Sequence, residues 1–528
     1  MNKMTVAPIF SNHMVLQRNK KINVWGTGVE GNEVEVTIKD SRVKGKVKDG
    51  QWMIQLPSMV AGGPYTLTVT DNIEEVCFED VMIGEVWLAG GQSNMEMRLR
   101  ETEDGENAVA NADNKQIRFY NTPPIPFIDE NTPEEERKAM WQLCNSRTAG
   151  ELSAAGYYFA GELAEELDVT VGILSCSWGG TSITCWMSQE YLEKDQDGLS
   201  YLENYKELSG DKTEEEYDEE VMAYNRTHKA WNDQLEDFRR KDPDITMMSI
   251  ISKIGDCPWP PPAGEKSPFR PVGLYKTMLS RVKPYTLKGF IYYQGEEDAY
   301  KASLYSNLMG RLIAQWRDDW NDDTLPFIFV QLPMYINEGD TDWKEWAVIR
   351  DQQMKAFKTI KNTGIAVMID GGEMGNIHPL DKKTVGHRLA LQGLQIAYGF
   401  NNNADAPTLR DYAYEGNKIR LSFNDMGENI IIKPDERFGI ENLKIEKLEI
   451  KGFEIAGEDL EYVPAKAIVD GAEIVVWAEG IDTPKEVRYA WTNYGPAPVH
   501  NQYDLPLAPF TTKNTLYFNS KKEIPKWI

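Results

Sequence analysis

The chain has 528 residues, 41% of them hydrophobic and 15 of them Trp, enough for two or three domains with real cores, because single cores stop growing at about 250–300 residues. Its 57 basic and 83 acidic residues leave a formal charge of -26, which argues against nucleic acid or an anionic membrane as the main partner and leaves a neutral or small anionic ligand open. No stretch has the length and apolarity of a transmembrane helix, while five scattered cysteines and folded-looking sequence from the first residues favour a cytoplasmic protein without a disulfide framework, a secreted or periplasmic one being the alternative if a signal peptide has been removed.

Residues 1–81 carry short β-branched runs at 21–26, 33–38, 52–56 and 65–70. Their period-two alternation and Gly-rich connections predict an N-terminal antiparallel β-sandwich module. Residues 82–400 change texture: helices are expected over 154–167, 304–316, 346–360 and 384–397, and buried strands over 169–175, 290–293, 327–331 and 365–369. Such alternation predicts a parallel sheet covered on both faces, with any site at the carboxyl ends of its strands. A mostly helical acidic insertion is expected near 189–255 with a solvated face, followed by a proline-rich loop over 258–271. Short strands return beyond residue 401 and predict a C-terminal β-sandwich module over 401–528.

The mostly apolar run at 84–91 leads through Gly90-Gly91-Gln92 to Ser93-Asn94-Met95-Glu96. A strand that turns abruptly into a helix can expose Ser93 as a nucleophile. Local sequence alone favours a helix cap, with Ser93 or Asn94 satisfying the first amides.

A serine nucleophile needs a base, and the chain has five histidines: His13, His228, His378, His387 and His500. His378 follows the expected strand at 365–369 and precedes a helix, so it shares the sheet edge of Ser93; an ordinary loop histidine fits the same position. Tyr293-Gln294-Gly295-Glu296 closes another strand, where Gln294 can donate to an oxyanion and Glu296 can brace the site, or both can belong to a polar turn. Trp178-Gly179-Gly180 follows a third strand and permits close backbone approach. Trp186 suits a sugar face or the core, and Arg270 suits a substrate contact or a structural ion pair.

The Gly-Gly-Gln-Ser-Asn-Met-Glu run, the Gln294-Gly295-Glu296 block, the Trp178-Gly179-Gly180 turn and the Asn376-Ile377-His378-Pro379 segment with Gly386-His387-Arg388 together resemble the sialate O-acetylesterase-like branch of the SGNH (GDSL-like) hydrolases. The resemblance runs from about Phe10 to Phe510. It implies an SGNH-hydrolase-like three-layer α/β/α core flanked by the two β modules. It further implies Ser93 as nucleophile, His378 as base, and an oxyanion held by the Ser93 and Gly179 N–H groups and the Gln294 side chain.

One departure stands out. The family's histidine block commonly has an acid two residues before the histidine, where this chain has Asn376; SGNH hydrolases more broadly often carry it three residues before, where Gly375 stands. Asp370, Glu373 and Glu296 are candidate acids, and an amide such as Asn376 or a backbone oxygen could orient the ring. The reading is a Ser93–His378 dyad.

No metal-binding or phosphate-binding pattern occurs, so no cofactor is expected. The expected activity is a carbohydrate O-acetylesterase acting on an O-acetylated sugar or oligosaccharide. Sialate esters, acetylated xylan or xyloglucan fragments, and a non-catalytic glycan-binding role are the competing functions. Oligomeric state is left open.

Overall fold

The computed structural model describes residues 3–242, 245, 247–440 and 449–513. The stretch 514–528 of the expected C-terminal module lies outside the described residues. The central sheet is built from strands β1 (Glu75–Gly91), β2 (Asn114–Asn121), β3 (Gln142–Cys144), β4 (Val171–Ser177), β5 (Gly289–Tyr293), β6 (Phe327–Gln331) and β7 (Thr363–Val367), in the order β3-β2-β4-β1-β5-β6-β7. All neighbours are parallel except β3 on β2.

β5, β6 and β7 are buried at every residue. Strands covered on both faces read as continuous apolar runs, and these do. Helix α2 (Ala154–Leu167) and the later α7 (Lys382–Tyr398) pack against one another, while α5 (Tyr305–Asp319) and α6 (Glu345–Thr359) form a second pair. Parallel strands need helical crossovers, and these helices provide them.

β1 is the spine of the molecule. Its first residues alternate in exposure, as a one-sided sheet requires, and from Val81 onward all but Met82 are buried. The first half pairs antiparallel with Gly62–Thr70 and parallel with Val15–Gln17. The second half lies between β4 and β5. The expected boundary after Val81 therefore falls inside a single strand shared by the N-terminal β module and the core.

The insertion folds as α3 (Gln196–Ser209) and α4 (Glu214–Lys241), with shorter helices at Gln189–Leu192 and Met247–Ile254. A Thr213–Glu216 capping box starts α4, and acidic residues open and basic residues close it, which suits the helix dipole. The insertion is not only a solvated face. Tyr201 of α3 is buried, its hydroxyl donating to Asp298 at 2.8 Å, and the Tyr205 hydroxyl donates to the Gly264 carbonyl at 2.9 Å.

Among its described residues, the C-terminal module holds a four-stranded antiparallel sheet of Thr408–Glu415, Lys418–Asn424, Glu473–Trp477 and Lys466–Asp470, another of Tyr462–Pro464, Phe453–Ala456, Glu486–Tyr489 and Phe510–Thr511, and a two-stranded pair, Ile431–Ile432 with Val499–His500. Of the cysteines, Cys144, Cys176 and Cys185 are buried and free, and Cys77 and Cys257 are free and exposed. No helix among the described residues is long and apolar enough to cross a membrane.

Candidate active site

β1 ends at Gly91, whose φ of 132° would place a Cβ 2.1 Å from the Tyr293 carbonyl oxygen. Only glycine passes this point. The chain then makes the single-turn helix α1 (Ser93–Glu96), capped by backbone alone, for the Gln92 carbonyl accepts the N–H groups of Met95 and Glu96 and no side chain caps the turn. The Ser93 hydroxyl is thus not a cap. Its Oγ lies 2.8 Å from Nε2 of His378.

His378 sits on the loop between β7 and α7, at the same carboxyl edge of the sheet. Its backbone N–H donates to Asn376 Oδ1 at 3.0 Å, Asn376 Nδ2 donates to Glu373 Oε2 at 2.9 Å, and the Leu380 N–H donates to Glu373 Oε1 at 2.8 Å. Asn376 and Glu373 therefore shape the loop and do not hold the imidazole. Among the described residues, His378 Nδ1 has no hydrogen-bond partner.

The other two candidate acids are engaged elsewhere. Asp370 takes a two-pronged ion pair from Arg388 at 2.6 and 2.8 Å and contacts His500 Nε2 at 3.1 Å, which ties the core to the C-terminal module. Arg388 and His500 hold its carboxyl far below the usual carboxylate range, against the opposing effect of burial. Glu296 is buried and accepts from Asn94 Nδ2 at 2.5 Å. What the structure brings together is Ser93 and His378, without a carboxylate on the ring.

Beneath this pair lies a buried charged relay. Asn94 Nδ2 serves Glu296 and the Ile377 carbonyl, while its Oδ1 accepts from Lys382 Nζ at 2.9 Å; Lys382 also donates to the Pro379 carbonyl. One amide thus joins the serine turn, the histidine loop and the Glu296 block. Burial pushes Glu296 up to about 7 and Lys382 down to about 8, the latter opposed by Glu296, Glu373 and Asp381. Burial, with Lys382 adding to it, pushes His378 down to about 4. The imidazole is accordingly neutral and able to take a proton at ordinary pH.

Gly179 also lies against Ser93: a Cβ there would be 3.3 Å from the Ser93 Cβ. Its N–H donates to the Glu96 carboxylate at 2.6 Å. The side-chain donor expected at Gln294 is used differently. Its Nε2 is taken by Asp298 Oδ2 at 2.6 Å and by Gln92 Oε1 and the Thr181 carbonyl at 3.1 Å each, and its Oε1 accepts from Tyr305. With two hydrogens and three acceptors, the amide has no donor left for an oxyanion. Gln294 instead fastens three strand ends together.

Trp186 is fully buried, with its indole N–H on Thr181 Oγ1 at 3.0 Å, so it cannot stack on a sugar. Arg270 donates to the carbonyls of Pro126 and Ser267 at 2.7 and 2.5 Å, which makes it a loop clasp at the edge of an open cleft. Glu96, Gln92, Asp298 and Lys382 were not singled out from sequence. Two had a signal in their spacing, since Glu96 lies three residues after Ser93 and Lys382 four after His378. Among the described residues, no group of three or more His, Cys, Asp or Glu is placed to hold a metal.

The chain belongs to the family described as "Carbohydrate esterase, sialic acid-specific acetylesterase", whose profile matches residues 83–236 and 263–394. It is similar to sialate O-acetylesterases from Mus musculus, at 26% identity over 96% of this chain and 93% of the relative, and from Homo sapiens, at 26% over 96% and 91%. A crystal structure described as a novel carbohydrate acetylesterase from Xanthomonas citri is similar throughout, with a TM-score of 0.77, 30% identity, and coverage of 97% of this chain and 100% of that one.

Proposed function

We propose that the protein is a serine carbohydrate O-acetylesterase working through a Ser93–His378 dyad. The observation that carries this reading is the 2.8 Å contact between Ser93 Oγ and His378 Nε2 at the carboxyl edge of a parallel sheet, in a chain of a carbohydrate esterase family. His378 takes the hydroxyl proton as Ser93 attacks the acetyl carbonyl. The oxyanion is held by the Ser93 N–H and by the Gly179 N–H once Glu96 withdraws from it. The imidazolium then protonates the sugar oxygen as the C–O bond breaks, leaving acetyl-Ser93. A water deprotonated by His378 attacks this ester, acetate departs, and the proton returns to Ser93.

Without a carboxylate on Nδ1, the imidazolium is stabilised only by the developing oxyanion and by solvent. Catalysis therefore leans on positioning and oxyanion stabilisation. The test is acetate release from O-acetylated sialic acid, acetylated xylo-oligosaccharide and an aryl acetate by the intact protein and by Ser93→Ala. Serine-dependent release from at least one is expected. Release from none would leave the glycan-binding alternative in place.

A further inference from the structure

Beside the dyad lies a pocket of about 290 Å³ that the mechanism does not use. It begins at Gly180, next to the glycine that flanks Ser93, and is lined further by Tyr205, Trp259, Phe269, Glu297 and Tyr300. Gly180 has a φ of 70°, and a Cβ there would stand 2.3 Å from the indole of Trp259. The second glycine of the pair is thus what admits the tryptophan. Trp259 stands edge to face with Phe269 at 5.4 Å and keeps 43% of its surface exposed.

The insertion and the proline-rich loop build this pocket together. Tyr205 of α3 donates to the Gly264 carbonyl and accepts the Gly264 N–H, both at 2.9 Å, which fixes the loop that carries Trp259. In the same lining, the Glu297 N–H is bound to Gln92 Oε1, but its carboxylate accepts no hydrogen bond from any described residue. Burial and the neighbouring Asp298 and Glu296 raise its carboxyl well above the usual range. Among the described residues, no Lys, Arg or His lines the pocket. Lys301, the nearby cation, lies over the Tyr201 ring and donates to the Ser200 carbonyl.

We propose that this pocket is a pyranose subsite for a neutral O-acetylated sugar, with Trp259 against the ring and Glu297 accepting its hydroxyls. An exposed indole matches the C–H face of a pyranose, and a lone carboxylate or carboxyl matches hydroxyl donors. A sialic acid's carboxylate finds no lining cation here and meets an acid at Glu297 where it would need an N–H donor, so its charge would be buried unpaired. The specificity residue is thus Glu297, and neutral acetylated oligosaccharides are the preferred class. This rests on the esterase reading for the chemistry but not for the binding.

The two are tested separately. In Ser93→Ala, calorimetric titration with an acetylated xylo-oligosaccharide reports the pocket without turnover, and adding Trp259→Ala is expected to weaken binding roughly tenfold, with Trp259→Phe retaining part of it. In the active enzyme, Trp259→Ala is expected to lower the ratio of kcat/KM for the oligosaccharide over an aryl acetate by roughly tenfold, and Glu297→Gln to narrow the preference for neutral over sialic substrates by a similar factor. Equal loss on the oligosaccharide and the aryl acetate, unchanged titration, or a wild-type preference for O-acetylated sialic acid would overturn the proposal. Serine-independent acetate release would overturn the esterase reading alone, and the titration would still decide the pocket.

Discussion

The Glu96 carboxylate accepts the Gly179 N–H at 2.6 Å, on the flank of Ser93. In the proposed mechanism a negative group at this donor opposes the negative charge that ester attack develops, so the contact corresponds to a resting state. Desolvation raises the Glu96 carboxyl above its ordinary value, against the pull of the Gly179 N–H. Glu96→Ala should therefore raise kcat/KM for a small aryl acetate by about two- to fivefold, the scale of one charge-assisted hydrogen bond discounted for solvent. Steady-state kinetics checks this. A large fall would mean that Glu96 holds Gly179 in its working position.

The pH profile follows from His378. Its depressed value of about 4 means that the neutral base persists well below the usual histidine range. The acid limb of kcat/KM should have its midpoint near 4, with activity lost as pH falls through it and not through about 6.5. Because Lys382 contributes to the depression, Lys382→Met should move this midpoint upward. Rate measurements across pH with the aryl acetate, for both proteins, decide the matter.

The Asn94 side-chain amide bridges Glu296 and Lys382, donating to the first and accepting from the second. Asn94→Ala leaves a buried carboxyl and a buried ammonium each short of a partner. The expected cost is about 2–4 kcal/mol of stability, read as a fall in the denaturant midpoint, together with a lower kcat because the serine turn and the histidine loop lose their shared anchor.

Asp370→Asn tests the acid assignment. Loss of a triad acid costs about 10⁴-fold in kcat. Asp370 meets Arg388 and His500 and not the imidazole, so the variant should lose stability, by about 3–5 kcal/mol, and keep most of its kcat below its lowered melting temperature. The depressed carboxyl adds stability above its unfolded value of about 3.9 that is lost as pH falls below it, so wild type and variant should converge in melting temperature in acid.

The Ser93 and His378 positions were legible because each follows a buried apolar run that ends at the same edge of a parallel sheet, and chain order alone places them there. The strand expected over 365–369 pairs two residues earlier, at Thr363–Val367, since Met368 and Ile369 stay buried after the ladder ends. Apolarity reports burial, not pairing. Gln294 departs from its expected oxyanion role, and Trp186 takes the core alternative, for a related reason. Where an amide or indole N–H points depends on Asp298, Gln92 and Thr181, partners from separate strand ends that spacing cannot orient. The expected boundary after Val81 marks the change of β1 from one-sided to two-sided burial, and the sequence does not show that one strand runs across it, because no turn interrupts it.

The most direct measurement is the site of acetylation during turnover. The protein is mixed with an aryl acetate, quenched in acid within the steady state, digested with an acid protease and examined by mass spectrometry. The account predicts one added acetyl group on the peptide bearing Ser93, absent in Ser93→Ala. Turnover with that peptide unmodified, or with the acetyl group carried by another residue, would contradict it.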